Sequence, residues 1–491
     1  MASKKSVAII GAGISGMAAA IELADKAYKP IVYEKNNSFG GRGRQIEKDG
    51  FLFDLGPSWY WMPDIFEKFF NDYGKSSRDY FELLRLDPSF RIFHKEGILD
   101  VPAGVEACIE VFEHREKGSG IFLRKFLKEA QYKYETGMRD FVRKPSLKWS
   151  EYFDWDLLKA ALRLQMFQSL ESVVYKNIKD ELLRQWLCFP VLFLGAKPSQ
   201  TPALYSLMNY AEMELGTWYP KGGMIKLFEA LYALALEKGV KFEFMADVQK
   251  IDCDSHHVKS ILVNNREVFV DAVVATADYH HVDEHLLAHE HRQYSKKYWE
   301  SRVMAPSAML YYLGVGETID GLLHHNLFFD TDFERHAGSI YDHPEWPEDP
   351  LFYVCVPSKT DSLVAPKGKE NLFILVPLAA GIQDQPEERQ KLFEKVIRRL
   401  EKKTGTSIVD KILFKMEMGP SDFVELYNSY KGNAYGLANT LMQTAVLKPR
   451  LKHHKLTNLF FAGQLTHPGP GLPPSLISGQ LSATLLQKLK L

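Results

Sequence analysis

Two glycine-rich segments at opposite ends of this chain constrain its fold more than any other feature. Ser6–Ile10 is a short apolar run that reads as a buried strand. It leads directly into Gly11-Ala12-Gly13-Ile14-Ser15-Gly16 and a helical stretch over Met17–Ala27. Near the other end, Asn458-Leu459-Phe460-Phe461-Ala462-Gly463 again reads as a strand closing on glycine. His467-Pro468-Gly469-Pro470-Gly471-Leu472-Pro473-Pro474 and a last helix follow it. Glycine between a strand and a helix permits a tight turn and a close backbone approach that a side chain would block. One site built from both ends implies that the middle of the chain is an insertion. At 491 residues the chain exceeds a single core, so two or three domains are expected.

Composition narrows the partners. With 61 basic and 62 acidic residues there is no basic excess, and no nucleic-acid partner is expected. Cys108, Cys188, Cys253 and Cys355 are far apart and form no CxxC pair. Isolated thiols fit a reducing cytoplasm, with no disulfide framework and no metal centre. Lys4-Lys5 followed by the apolar Val7–Ala20 imitates a signal peptide. That run, however, contains the glycine motif, and Glu22 and Asp25 continue it as an amphipathic helix. No stretch reaches the ~18 unbroken apolar residues of a spanning helix. A cytoplasmic protein is expected, not integral to a membrane but able to lie on one.

Along the chain, strand, helix and strand alternate through Ser6–Ile10, Met17–Ala27 and Pro30–Glu34, the start of a doubly wound α/β unit. Between about 62 and 215 the pattern is mainly helical. Leu123, Phe126, Leu127, Ala130, Tyr134, Met138 and Phe141 form a helical stripe there. Strands are predicted at Lys241–Phe244, Lys259–Val263, Val268–Val270, Ala272–Ala275, Ser307–Gly314, Leu351–Val356 and Asn371–Pro377, and a helix over Glu387–Thr404. The fold class is α/β: a discontinuous Rossmann-like domain over 1–62, 219–280 and 455–491. Inserted in it is an α+β substrate domain over 63–218 and 281–454, with its helical part at about 105–190.

Gly11-x-Gly13-x-x-Gly16 between a strand and a helix is the dinucleotide pattern. Gly11 suits the turn, Gly13 the approach to a pyrophosphate, and Gly16 helix–strand packing. The helix N-terminus supplies N–H donors and partial positive charge. Glu34, 18 residues after Gly16, sits where a carboxylate accepts from ribose hydroxyls. Gly40-Gly41-Arg42-Gly43-Arg44 has two readings: close passage beside a second phosphate or flavin edge, or a solvated basic turn. Phe51–Pro57 reads as a strand and turn re-entering the same site.

Gly11–Gly16, Glu34 and Gly40-Gly41-Arg42 resemble the entry of the flavin amine oxidase and phytoene desaturase superfamily. Tyr219-Pro220-Lys221-Gly222-Gly223-Met224 is similar to the second segment shared there, whose glycines would lie against the cofactor. Asp247-Val248 and Ile251 match the strand that touches the adenine. Thr466–Pro473 resembles the signature of bacterial CrtI-type carotenoid desaturases. So do Asp54–Pro63, Phe189–Gly195 and Asn428–Gly436, so the likeness spans the chain. Pro473-Pro474 departs from the Pro-Gly of many members. Carried over, the cofactor contacts fall on Gly11, Gly13, Ser15, Gly16, Glu34, Lys35, Gly41, Arg42, Gly56, Pro57, Val248, Gly463, Leu472 and Pro473.

The resemblance implies FAD-dependent, stepwise dehydrogenation of a C40 polyene, phytoene toward lycopene, with hydride passing to flavin N5 and a proton leaving the adjacent carbon. It leaves open a 1-hydroxycarotenoid 3,4-desaturase and a redox-neutral carotenoid cis–trans isomerase. With no second nucleotide motif, oxygen or a quinone is the expected electron acceptor. His467 is a candidate base, with a loop histidine that only packs as the alternative. Asp330 and Asp332 are weaker candidates. The apolar substrate implies a tunnel and a peripheral position on the cytoplasmic face of the membrane. Leu157–Phe167, with Lys159 and Arg163, reads either as an interfacial helix or as an ordinary packed one. Trp59, Tyr60, Trp61, Phe66, Phe69 and Phe70 read as tunnel lining or as core.

Overall fold

The computed structural model describes residues 5–26, 28–148, 151, 164–166, 168–195 and 197–489. The segment read as an interfacial helix lies outside them, apart from residues 164–166. The first strand, β1 (Ser6–Ile10), is apolar and buried after its first residue, as a strand covered on both faces requires. Helix α1 (Ile14–Asp25) leaves it, and β2 (Lys29–Glu34) returns parallel to it, with Ile9 opposite Val32. Three later strands, β3 (Lys241–Phe244), β4 (Ala272–Ala275) and β5 (Leu459–Phe461), complete a parallel sheet in the order β5-β4-β1-β2-β3. The two ends of the chain therefore share one sheet.

Helix α2 (Leu472–Gln487) follows β5 and packs against α1. Glycine sets their spacing: a Cβ on Gly479 would lie 2.2 Å from the Ser15 carbonyl oxygen. One face of the sheet, with Val7, Ile9, Val32 and Val274, shares a core with α1. The other, with Ala8, Ile10, Tyr33 and Val273, packs on an antiparallel meander of Val248–Cys253, Val258–Val263 and Arg266–Phe269.

The inserted half is built on a seven-stranded sheet. Its order is Ile412–Met418, Ser307–Val315, Glu370–Leu378, Phe352–Cys355, His325–Phe329, Phe90–His94 and Gly97–Val101. All pairs are antiparallel except His325–Phe329 with Phe90–His94. Helix Pro386–Thr404 covers it with Leu392, Val396, Ile397 and Leu400.

The stretch between 62 and 215 is thus not uniformly helical, since it donates two strands to this sheet. Phe90 and Ile92 enter one core and Phe93 another, so apolar residues face both sides and the strand alternation is lost. The predicted helical stripe forms over Leu123, Phe126, Leu127, Ala130 and Tyr134, buried along Ser119–Thr136, whereas Met138 and Phe141 fall in a π-helical turn over Gly137–Val142 and are half-buried. Among the described residues, no helix is long and apolar enough to cross a membrane.

Candidate functional site

A cleft opens where β1, β2 and β4 end and α1 and α2 begin, and residues from both chain ends line it. Gly11 adopts φ +104° and donates its N–H to the Tyr33 carbonyl at 2.8 Å. Thr276, just past β4, donates its hydroxyl to the Ile10 carbonyl at 2.9 Å and sits 3.0 Å from that of Gly11. Gly16 serves packing alone: a Cβ there would meet the Gly11 carbonyl oxygen at 2.0 Å. Gly13 is the opposite case, since a Cβ there would have nothing within 4 Å and would project into open space. No side chain caps α1 and its first turn holds no acidic residue, so its leading N–H groups are free for an anion.

Glu34, at the end of β2, is buried and held by backbone. One carboxylate oxygen accepts from the Ala12 N–H at 2.8 Å; the other accepts from the Asn36 N–H at 3.0 Å and its side-chain amide at 2.8 Å. Ala246, Asp247 and Val248 form the wall beyond it. Lys35 also lines the cleft, but its ammonium donates to the Glu425 carbonyl at 2.8 Å and to Asn428 at 3.2 Å. Burial lowers its pKa.

The Gly40-Gly41 turn is tied to the first glycine loop. Gly40 donates to the Ala12 carbonyl at 2.9 Å, and a Cβ on Gly41 would lie 3.4 Å from the Gly13 Cα. Arg42 then enters the cleft instead of solvent. Its guanidinium stands 5.1 Å from the centre of the Tyr427 ring and donates to the Ser429 hydroxyl at 3.1 Å. Its buried Nε has no partner. Burial lowers its pKa, and Asp278 opposes that shift. Asp278 accepts from the Tyr430 N–H at 3.2 Å and the His280 N–H at 3.0 Å, while burial raises its pKa.

Gly56 and Pro57 line the cleft beside Arg42; a Cβ on Gly56 would come 2.8 Å from the Arg42 carbonyl oxygen. Two residues earlier, Asp54 accepts from the Met224 N–H at 2.7 Å, the Ile225 N–H at 3.2 Å and Gln45 at 3.2 Å. Burial pushes it up to about 6. Gly222 and Gly223 therefore do not line the cleft, contrary to expectation. Asp361 accepts from the Gly222 N–H at 2.6 Å, and a Cβ on Gly223 would lie 2.9 Å from the Asp54 carboxylate.

At the far end the cleft meets Gly463, Gly471 and Leu472. Gly463 has φ +116° and donates to the Ser478 hydroxyl at 3.1 Å. Pro473 does not line the cleft. It occupies the first turn of α2 with Pro474, where a missing N–H costs no helical bond. That accounts for the tolerance of the Pro-Pro departure.

His467 does not line the cleft either, so the expected base stands back from it. Its Nε2 lies 3.2 Å from the Val142 carbonyl, and burial lowers its pKa to about 4. Asp332 caps the helix Phe333–Tyr341, and Asp330 pairs with Arg399, so both are structural. Tyr60, Phe66, Phe69 and Phe70 are buried in the main core; Trp61 donates to Thr217 at 2.8 Å.

Of the sequence-predicted cofactor residues, Gly11, Gly13, Ser15, Glu34, Lys35, Gly41, Arg42, Gly56, Pro57, Val248, Gly463 and Leu472 line this one cleft. Thr276, Asp278 and Tyr427 line it too and carry no motif. No metal centre was expected, yet His324, His325 and Cys355 hold ligand-type atoms within 4.8 Å of one another. Burial holds both imidazoles neutral and pushes the thiol up to about 12, so a cation would first have to displace the thiol proton. The Nδ1 atoms are engaged by Thr360 at 2.9 Å and Tyr353 at 2.6 Å.

Residues 14–486 match the family described as flavin containing amine oxidoreductase. The chain is 41% identical over 486 residues to a carotenoid 3,4-desaturase of Haloarcula japonica, covering 99% of this chain and 98% of that protein. It is 32% identical to a zeta-carotene-forming phytoene desaturase of Myxococcus xanthus, covering 97% and 93%. A putrescine oxidase variant superimposes with a TM-score of 0.61 at 14% identity, covering 99% of each chain, which shows a common fold.

Proposed function

The chain belongs to the flavin containing amine oxidoreductase family, and from that premise we propose that it is an FAD-dependent carotenoid desaturase that introduces the 3,4 double bond of a late carotenoid. The 41% identity over nearly the whole chain to a carotenoid 3,4-desaturase carries this reading. The second reading, phytoene toward lycopene, rests on the 32% identity to a phytoene desaturase.

The residues present fit FAD. Gly13 leaves a side-chain-sized gap at the start of α1, and the free N–H groups of that helix would take the pyrophosphate. Glu34 retains a carboxylate lone pair for a ribose hydroxyl, since its present bonds, from the Ala12 N–H and from the Asn36 N–H and side-chain amide, fill three of about four acceptor sites. Val248 would border the adenine. Arg42, with Nε unpartnered, Gly56, Gly463 and Leu472 would border the ring end. Bound FAD supplies a hydride acceptor for an allylic C–H bond.

The chain's own work is positioning and exclusion of water. Leu310, Leu375, Phe423 and Tyr435 give the inner cleft an apolar wall suited to a polyene. Asp54 fixes the turn before Gly56 by holding the Met224 and Ile225 N–H groups. No strongly basic group of this wall stands ready to take the departing proton, which an allylic cation gives up to a weak base. A substrate dissolved in bilayers further favours a peripheral position on a membrane surface, with oxygen or a quinone as final acceptor.

The test is expression in cells that accumulate phytoene, lycopene or a 1-hydroxylated carotenoid, followed by pigment analysis. Gain of a 3,4 double bond only in the later carotenoids supports the proposal. Conversion of phytoene to lycopene selects the second reading.

A further inference from the structure

The geometry points to Tyr435 as a catalytic residue whose electron-rich ring stabilises the positive charge that develops on the polyene as a hydride leaves it. The inference rests on the desaturase reading above and adds the group that meets this charge.

Tyr435 lines the inner cleft with Ala308, Leu310 and Leu375. Its turn is held from three sides. The Gly436 N–H donates to the Asn433 side chain at 2.7 Å, and the Ala305 N–H donates to the Gly436 carbonyl at 2.8 Å. A Cβ on Gly436 would lie 2.9 Å from the carbonyl oxygen of Gln464, the residue after Gly463. From the other wall, Tyr353 stands close enough for its charge and that of Tyr435 to interact, and Tyr353 is hydrogen-bonded to Ser58, next to Pro57. Tyr435 therefore stands at the end of the cleft where Gly56 and Gly463 would border the flavin ring. Its own side chain is uncommitted: it makes no hydrogen bond and no ring contact among the described residues. Phe423 and Tyr427, by contrast, meet with ring centres 6.1 Å apart, and Tyr427 is engaged by Arg42. Tyr435 is half-buried, yet loss of water around it raises its phenol to about 12. Its accessible surface thus opens into the cleft instead of bulk water, and the group is neutral at ordinary pH.

The chemistry needs a group of this kind. An allylic C–H bond breaks with both of its electrons passing to the flavin, so the substrate is oxidised by two electrons and the flavin reduced by two. The carbon left behind is positive, its charge spread over the neighbouring double bonds. The adjacent carbon then releases a proton to water, and the electrons of that C–H bond form the new double bond. In water the passing charge would be solvated; between Leu310 and Leu375 it is not. A carboxylate in this wall would itself need solvation and would repel a hydrocarbon substrate. An aromatic ring packs against the hydrocarbon and still offers a negative face to a cation, an attraction that grows when water is excluded. It strengthens only as charge forms, so it favours the transition state over the bound substrate.

The experiment uses purified flavin-loaded enzyme in anaerobic single turnover, with phytoene, lycopene and a 1-hydroxylated carotenoid in liposomes and chromatography of the quenched product. Tyr435→Leu should slow conversion of whichever carotenoid wild type accepts by roughly tenfold or more, while flavin content and the half-saturating substrate concentration hold. Tyr435→Phe keeps the ring and should stay within roughly threefold of wild type. Phenylalanine bearing one, two or three ring fluorines in place of Tyr435 has nearly the same shape and a progressively weaker negative face. Each added fluorine should slow the step further. Rates that stay flat across the fluorinated series overturn the inference even if the leucine variant is slow, because that pattern is a packing effect. A leucine variant at the wild-type rate overturns it too, and both results leave the desaturase reading standing. Conversion of none of the three carotenoids by wild type overturns the desaturase reading, and the inference with it.

Discussion

At the cleft, Glu34 keeps both carboxylate oxygens on backbone N–H groups, and Asp54 and Asp278 do the same. Beneath Gly469, only a short way along the same loop system, Lys448 Nζ and Asn439 Oδ1 have no hydrogen-bond partner among the described residues. Both regions are polar and buried. The carboxylates of the first are satisfied within the fold, although Arg42 among them keeps a buried Nε without a partner among the described residues. The second leaves buried polar atoms without a partner among the described residues, which costs free energy. Satisfied carboxylates hold the cleft wall in place; a buried polar group without a partner costs free energy until something pairs it.

The largest expected effect separates two kinds of glycine within the first glycine loop. Gly16→Ala places a methyl group 2.0 Å from the Gly11 carbonyl oxygen, where neither backbone segment can yield cheaply. A cost of roughly 3 kcal/mol or more is expected, with loss of soluble, flavin-containing protein. Thermal melting of purified variant checks this. Unchanged stability would mean that α1 and β1 are not as tightly joined as this geometry demands.

Gly13→Val is the matched contrast. Gly13 has extended backbone geometry, and a Cβ there meets nothing within 4 Å. Stability of the flavin-free protein should fall by only about 1 kcal/mol, the cost of a poorer residue at the helix N-cap. Flavin affinity should fall by roughly tenfold or more, about 1.4 kcal/mol, because the valine occupies the cradle. Flavin retention after dialysis, read by absorbance, gives the answer. Full retention would place the cofactor elsewhere in the cleft.

This contrast also explains what was legible in the sequence. Gly11, Gly13, Gly16 and Glu34 lie within one strand–helix–strand unit, where chain spacing alone fixes their mutual placement. Gly463 and Leu472 repeat that logic at the other end. Asp278, Thr276 and Tyr427 were not legible, because their roles arise from contacts between segments far apart in sequence: Thr276 meets Ile10 across 266 positions, and Arg42 meets Ser429 across 387. Phe90–His94 was missed for a related reason. A five-residue strand buried on both faces has no period, and its parallel partner, His325–Phe329, is distant in sequence. Lys448 and Asn439 lie in a segment of short turns, with no repeat to mark them. His467 was singled out by its motif, yet packing turned its ring toward Val142.

A pH-dependent effect tests whether the Gly469 cluster is truly unsatisfied. Burial lowers Lys448 from 10.5 to about 7, and His467, the titratable group coupled to it, from 6.5 to about 4. For a base whose pKa is lowered on folding, the unfolded chain binds more protons between the two values. Stability therefore rises with pH across that window. For Lys448 the window runs from about 7 to 10.5, and for His467 from about 4 to 6.5. Wild type should gain stability between pH 7 and 9 relative to Lys448→Met, by up to about 1.4 kcal/mol per pH unit. Paired urea melts at pH 6, 7, 8 and 9 measure the difference directly. A difference that stays flat across this range would mean that Lys448 keeps its charge at an ordinary pKa, which requires a partner beneath Gly469 and removes the asymmetry between the two regions.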